Sequence, residues 1–324
     1  MSWFLFALVC VLGWGFADLF YKKGTDESDK LSQCKIAVWV GLVMGVAALI
    51  MLPFSDIASE SFGGFWEKFA RYLPASLGYI ISMVIGYAGL RYLELSIVSP
   101  VQNASGALSA IVMVVWFILA GSIGDLSEEF SVLDYIGTAV IVVGVIALAV
   151  VEQRLSQKEK TLNVKEEERK YRFGALALIF PILYCVFDTI GTAADGIILD
   201  EEVGLGLGEI DVLILYGIAF FIAGLGFWIY MLIKEKKPYN PFKKSELNKG
   251  VAAVCEEFGQ IFYVYAMADS PVLAAPMVAS YCVVSVLLSR LILKEKLKWS
   301  QYACIIAVII GIIIMGVSEG LAEI

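Results

Sequence analysis

Residues 3–21 read WFLFALVCVLGWGFADLFY, and Lys22 and Lys23 follow at once. At a rise of about 1.5 Å per residue, such a run crosses the ~30 Å of bilayer hydrocarbon as one helix. It lacks the basic leading segment of a signal peptide, it carries Trp14 and Asp18, and lysines stand where a small-residue cleavage site would lie. It reads as a retained first span. Nine further apolar stretches follow, at 36–53, 72–90, 96–120, 133–151, 173–198, 210–233, 250–268, 272–293 and 299–318.

Composition leads to the same place. Of 324 residues 60% are hydrophobic and 17% charged, with a mean hydropathy of +0.81. Soluble domains are about 25% charged, so this chain cannot clothe soluble cores in a polar skin. Continuous apolar runs of helical length, rather than short alternating segments, exclude a membrane β-barrel. The expected fold is an all-α integral membrane protein of ten transmembrane helices.

The basic residues give an orientation. Twenty-one lysines and arginines fall in the loops after spans 1, 3, 5, 7 and 9, whereas the opposite loops hold only Lys68 and Arg71. Short cytoplasmic loops collect basic residues. Both termini are therefore expected on the outer side, and a bacterial plasma membrane is the expected location. The charged stretch 152–172, with Glu166 to Glu168 and seven basic residues from Arg154 to Arg172, is the one real linker. Its sequence suits a helical extension or a disordered strap equally.

The linker separates two halves of five spans each, 1–151 and 173–324. A shift of 170 residues places Trp14 on Tyr184 and Asp18 on Asp188. A shift of 176 places Pro100, in SIVSP, on Pro276, in VLAAP, and one of 167 places Tyr135 on Tyr302 and Gly144 on Gly311. An odd number of spans per repeat forces opposite orientations, and equivalent loops have exchanged charge: Lys22 and Lys23 answer to Asp200, Glu201 and Glu202. Two inverted five-helix repeats around a central cavity are a transporter architecture.

The chain resembles the drug/metabolite transporter superfamily, specifically its ten-helix EamA-type members. The resemblance rests on Gly13-Trp14-Gly15, the small-residue approaches to Pro100 and Pro276, and the LKEKL turn at 293–297 before a last span with Gly311 and Gly316. The turn after span 4, GSIGD at 121–125, departs from the family pattern by lacking a basic residue. The resemblance implies a transporter that uses no cofactor.

Polar residues inside the spans mark the candidate site, because ionisable groups in hydrocarbon are costly and usually face a cavity. Cys10, Trp14, Asp18 and Tyr21 share one face of span 1; Tyr184, Asp188, Gly191, Thr192 and Asp195 share one face of span 6. Span 8 offers Glu256, Glu257, Gln260 and Tyr263; span 4 offers Gln102, Asn103, Ser105 and Ser109 after Pro100; span 9 offers Ser280, Tyr281, Ser285 and Ser289 after Pro276. The substrate-binding or coupling candidates are Trp14, Asp18, Gln102, Asn103, Tyr184, Asp188, Glu256, Glu257, Gln260, Tyr263 and Tyr281. Blander readings stand beside these. Asp18 could pair with Lys22 one turn on, Asp188 could be a buried structural partner, the glutamates could reach cytosolic water or Lys249, and the serines could mark close helix packing. Asp134, three residues after Ser131, reads as a capping box, and Glu209 and Asp211 suit a helix N-terminus.

The absence of histidine removes imidazole catalysis and most imidazole metal sites. Six scattered cysteines show no paired spacing, and no catalytic, metal or cofactor site is expected. Membrane prenyltransferases and aspartyl proteases would need Asp-x-x-x-Asp pairs or Gly-x-Gly-Asp, and neither is present, so a polytopic enzyme is the weaker alternative. The favoured function is a secondary active transporter, driven by a gradient or by exchange. The candidates are acidic or neutral, whereas an anionic substrate wants a cationic clamp. An amine-bearing or cationic metabolite, amino-acid-like or choline-like, is therefore favoured over a neutral sugar or polyol. The expected partners are that metabolite, a coupling proton or counter-substrate, and the bilayer; no nucleic acid is expected.

Overall fold

The computed structural model describes residues 2–124, 129–161, 177–200 and 203–322. The described chain is helical throughout. Its long helices are α1 (Trp3–Gly24), α2 (Ser32–Met51), α3 (Phe62–Gly89), α4 (Leu95–Ala120) and α5 (Val132–Thr161). The second set is α6 (Ile179–Leu199), α7 (Glu209–Glu235), α8 (Leu247–Asp269), α9 (Pro271–Leu293) and α10 (Trp299–Ala322). Nine of these are long and apolar enough to cross a membrane. The exception is α8, where Lys249, Glu256 and Glu257 dilute a 23-residue helix. Large apolar side chains such as Leu49, Leu119 and Ile233 remain exposed on the outside of the bundle, where lipid replaces water.

Helix ends follow local chemistry. Ser61 caps α3 by accepting the Gly64 N–H at 3.1 Å, so the helix starts ten residues before the apolar run that begins at Tyr72; the first turns carry Glu67, Lys68 and Arg71 at the membrane edge. Ser131 and Asp134 form a reciprocal capping box, with N–H to carboxylate and N–H to hydroxyl distances of 2.9 and 3.2 Å. Gly121, at φ 84°, ends α4 in the left-handed conformation that glycine adopts without strain. α5 runs on to Thr161, so the first part of the 152–172 linker extends that helix; the rest of the linker, with Glu166 to Glu168, lies outside the described residues, as does Asp125.

α4 and α9 are both broken. α4 stops at Gln102 and resumes at Ser105, five residues beyond Pro100. α9 stops at Ala279 and resumes at Tyr281, the same distance beyond Pro276. Proline removes a backbone donor and crowds the preceding turn. At the first break the Asn103 side chain donates to the Ser99 carbonyl at 2.8 Å. Irregular backbone survives at membrane depth where it lines a cavity, and both breaks do.

Four helix pairs make the frame: α1 with α8, α3 with α6, α2 with α7, and α5 with α10. Exchanging the first five helices with the last five turns this set into itself, as two repeats require. Glycine meets glycine in every pair. A Cβ added at Gly13 would stand 3.0 Å from the Gly259 Cα, one at Gly78 2.6 Å from the Gly191 nitrogen, one at Gly41 2.9 Å from the Gly224 Cα, and one at Gly137 3.2 Å from the Gly311 carbonyl. Without a hydrophobic force between helices in lipid, such close backbone approach supplies the packing. The start of α1 lies beside the ends of α8 and α10, for the Trp3 backbone N–H donates to Asp269 at 2.9 Å and its indole to Glu319 at 2.7 Å. This end of the bundle is the terminal side; the opposite end, carrying Lys22 and the LKEKL turn, is the basic side.

Candidate functional site

Between the frame pairs and the two broken helices lies a cavity with a free volume of about 60 Å³, room for a small cluster of waters. Ten of the eleven sequence candidates line it: Trp14, Asp18, Gln102, Asn103, Tyr184, Asp188, Glu256, Gln260, Tyr263 and Tyr281. The structure places Glu257 off the wall. Successive helical residues diverge by about 100°, and Glu257, two turns on from Gly250, shares the face of α8 that meets Trp39 of α2.

The two aspartates related by the repeat occupy matching places and have different partners. Asp18 accepts hydroxyls from Ser99 of α4 and Ser285 of α9, each at 2.7 Å, through the same oxygen. Asp188 accepts the Ser105 hydroxyl at 2.6 Å. The pairing of Asp18 with Lys22 that helix spacing allowed does not form. The Lys22 ammonium instead donates to the carbonyls of Leu90 and Leu93 at 2.7 and 2.9 Å, tying α1 to the end of α3. Lys249 likewise goes to Glu246 at 2.7 Å rather than to Glu256 or Glu257. Outside the spans, burial raises the Glu246 carboxyl, but hydrogen bonds from Lys249 and Tyr239 outweigh it and hold the group below its ordinary value.

Aromatic rings build the opposite wall. Trp14 stacks on Tyr263 with centroids 5.0 Å apart and meets Tyr281 edge-on at 5.6 Å. Its indole N–H donates to the Glu256 carbonyl at 3.1 Å, fixing the ring. The Tyr79 hydroxyl lies 2.6 Å from that of Tyr263 and 3.3 Å from Thr192. The buried amide nitrogens of Gln102 and Gln260 have no hydrogen-bond partner, so the wall offers free donors beside its three carboxylates. Among the described residues, no lysine or arginine lines the cavity.

Four wall tyrosines were not among the candidates: Tyr21, Tyr79, Tyr87 and Tyr216. A signal existed for three: Tyr21 shares the span 1 face of Trp14 and Asp18. Tyr72, Tyr79 and Tyr87 recur at intervals of seven and eight along α3, which keeps them on one helical face. Tyr216, with only apolar neighbours on either side in α7, had none.

Residues 203–317 match the EamA-like transporter family. This part of the chain is an EamA-like transporter domain. It contributes Glu256, Gln260, Tyr263 and Tyr281 to the cavity, while Trp14, Asp18 and Asp188 come from outside the matched residues. The match makes this part of the chain similar to membrane transporters of the drug/metabolite superfamily, and the helical bundle and its apolar spans agree with it. The fold reaches beyond the EamA-like domain: a solved crystal structure of a protein covers 98% of this chain and 98% of its own length at a TM-score of 0.61, with 12% identity. That likeness is one of fold alone. No curated protein matches the chain in sequence.

Proposed function

We propose that this EamA-like protein is a secondary active transporter that moves an amine-bearing or cationic metabolite by alternating access, with the cavity residues around Trp14, Asp18, Asp188 and Glu256 as its binding site. The carrying observation is charge: among the described residues, three carboxylates and no basic side chain line the wall. A cation would neutralise them, and the rings of Trp14, Tyr263 and Tyr281 would add cation–π attraction. An anion would be repelled by all three carboxylates. The free volume of about 60 Å³ is smaller than a metabolite, so the walls move during transport, and the repeats 1–151 and 173–324, joined through 152–172, are the natural rocking units. The positive-inside bias puts the basic side in the cytoplasm and both termini outside.

The test is uptake by purified protein in lipid vesicles. Labelled amino acids and quaternary amines should enter, and unlabelled amines should compete. Uptake of neutral sugars or polyols that amines fail to inhibit would move the assignment to the neutral class.

A further inference from the structure

Seven residues beyond Asp188 on the same face of α6 stands Asp195, a carboxylic acid that the cavity does not use. Its side chain is 0% exposed. One oxygen, Oδ1, accepts the Tyr72 hydroxyl of α3 at 2.8 Å; the other, Oδ2, is buried with no hydrogen-bond partner. We propose that Asp195 and Tyr72 form a proton-binding site at the terminal end of the cavity, in which Oδ2 carries the proton while this end is closed, and that loss of this proton to water accompanies its opening.

The argument is geometric. Among the described residues, the ionisable groups that interact with Asp195 are phenols: Tyr72 and Tyr79 from α3, Tyr216 from α7 and Tyr263 from α8, with Asp188 two turns back on its own helix. The basic residues of α3, Lys68 and Arg71, lie nearer the start of that helix and pair with Glu60 and Glu67 at 2.7 and 3.1 Å. A bare carboxylate in such surroundings is far costlier than a neutral acid, and an unpartnered oxygen has the lone pair to take the proton. The next residue shows how tightly this end is shut. A Cβ on Gly196 would press on Met113 of α4, Met267 of α8 and Pro271 of α9. The glycine contacts Gly13–Gly259 and Gly78–Gly191 also lie on the terminal side of Asp18 and Asp188. The cavity instead extends toward Tyr21, Tyr87 and Leu90 on the basic side. Water reaches Asp195 only when the terminal seal separates, so its proton and the seal are linked.

The part this proton plays in transport rests on the transporter reading; the proton site itself does not. Infrared spectroscopy of the full chain in lipid nanodiscs reads the site without any substrate. At neutral pH, subtracting the spectrum of Asp195→Asn from that of the native chain should leave the carbonyl band of one protonated carboxylic acid. Tyr72→Phe, which removes only the hydroxyl donated to Oδ1, should shift that band. A difference spectrum holding carboxylate bands alone would overturn the site. So would a carboxylic acid band that does not respond to Tyr72→Phe. Should the transporter reading be wrong, the native chain takes up nothing while the band persists. If both hold, uptake by Asp195→Asn should lose most of its pH dependence.

Discussion

The pairs α1–α8 and α3–α6 are the same device used twice, yet they carry different chemistry. Each brings two helices together at a glycine contact, Gly13 on Gly259 and Gly78 on Gly191. The α1–α8 pair holds Trp14 against Glu256 and points Asp18 at hydroxyls from both broken helices. Its far end is tied on the basic side, where Gly24 abuts Lys249 and Lys249 bonds Glu246. The α3–α6 pair is closed instead on the terminal side, by the buried Tyr72–Asp195 bond. The two pairs share a packing that depends on small residues at a few positions, and the side chains around it differ. One pair ends in a charged tie, Lys249 with Glu246, and the other in a buried acid bonded to Tyr72.

The largest difference is expected in transport. Asp18 accepts two serine hydroxyls through one oxygen, and Asp188 accepts hydroxyls from Ser105 and Tyr184, so both aspartates are held by two donors at the cavity wall. Removing a charge-assisted hydrogen bond costs roughly 1.5–3 kcal/mol, which is on the order of 10- to 100-fold in affinity. Asp188→Asn and Asp18→Asn should therefore each cut vesicle uptake within that range. Equal uptake by both variants and the native chain would sink the shared-site idea and leave the aspartates as packing groups.

Stability should rank the two pairs next. A Cβ at Gly78 would fall 2.6 and 2.7 Å from the backbone of Gly191, and backbone cannot swing aside; at Gly13 the nearest atom is 3.0 Å away and tenths of an ångström suffice. Overpacking of this kind costs about 1–3 kcal/mol. Gly78→Ala should lie near the top and Gly13→Ala near the bottom, read as melting temperatures in one detergent at one scan rate. Gly259→Ala separates fold from site, because its Cβ would strike the Trp14 ring rather than backbone. It should weaken amine uptake more than it lowers the melting temperature. A reversed order for Gly78 and Gly13 would show that α3–α6 relaxes more freely than its contacts imply.

Much of this frame was legible in the sequence, and the exceptions share a cause. Long apolar runs, two prolines each followed by polar residues, and an aspartate four residues after an aromatic in spans 1 and 6 all survive as local patterns. The start of α3 did not, since Glu67, Lys68 and Arg71 interrupt the apolar run that Ser61 nonetheless caps. Glu257 was grouped with Glu256 because a helical wheel cannot say which of two adjacent directions faces the cavity. Its separation depends on where α2 packs. Lys22 and Ser99 found partners more than sixty residues away, and only the fold brings those together. Asp195 was on the right face in the sequence, but its seal comes from α3, α4, α8 and α9 at once.

The smallest effect concerns the tie at the basic end of α1–α8. Hydrogen bonds from Lys249 and Tyr239 hold the Glu246 carboxyl below its ordinary 4.5, against the opposing effect of burial. A carboxyl lowered in the folded state binds fewer protons there than in the unfolded chain. Its stabilisation is therefore complete above the ordinary value and is lost as pH falls through the folded one. Glu246→Gln should cost less than about 1 kcal/mol near neutrality, the range of a partly solvated ion pair. The difference in melting temperature between Glu246→Gln and the native chain should shrink as pH falls below 4.5 and vanish below the lowered folded-state value. The Tyr72–Asp195 bond lies at the other end of the bundle, so Asp195→Asn should leave that acid-side difference untouched. If the Glu246→Gln difference instead grows in acid, the tie at Lys249 is not electrostatic, and the two ends of the bundle are alike after all.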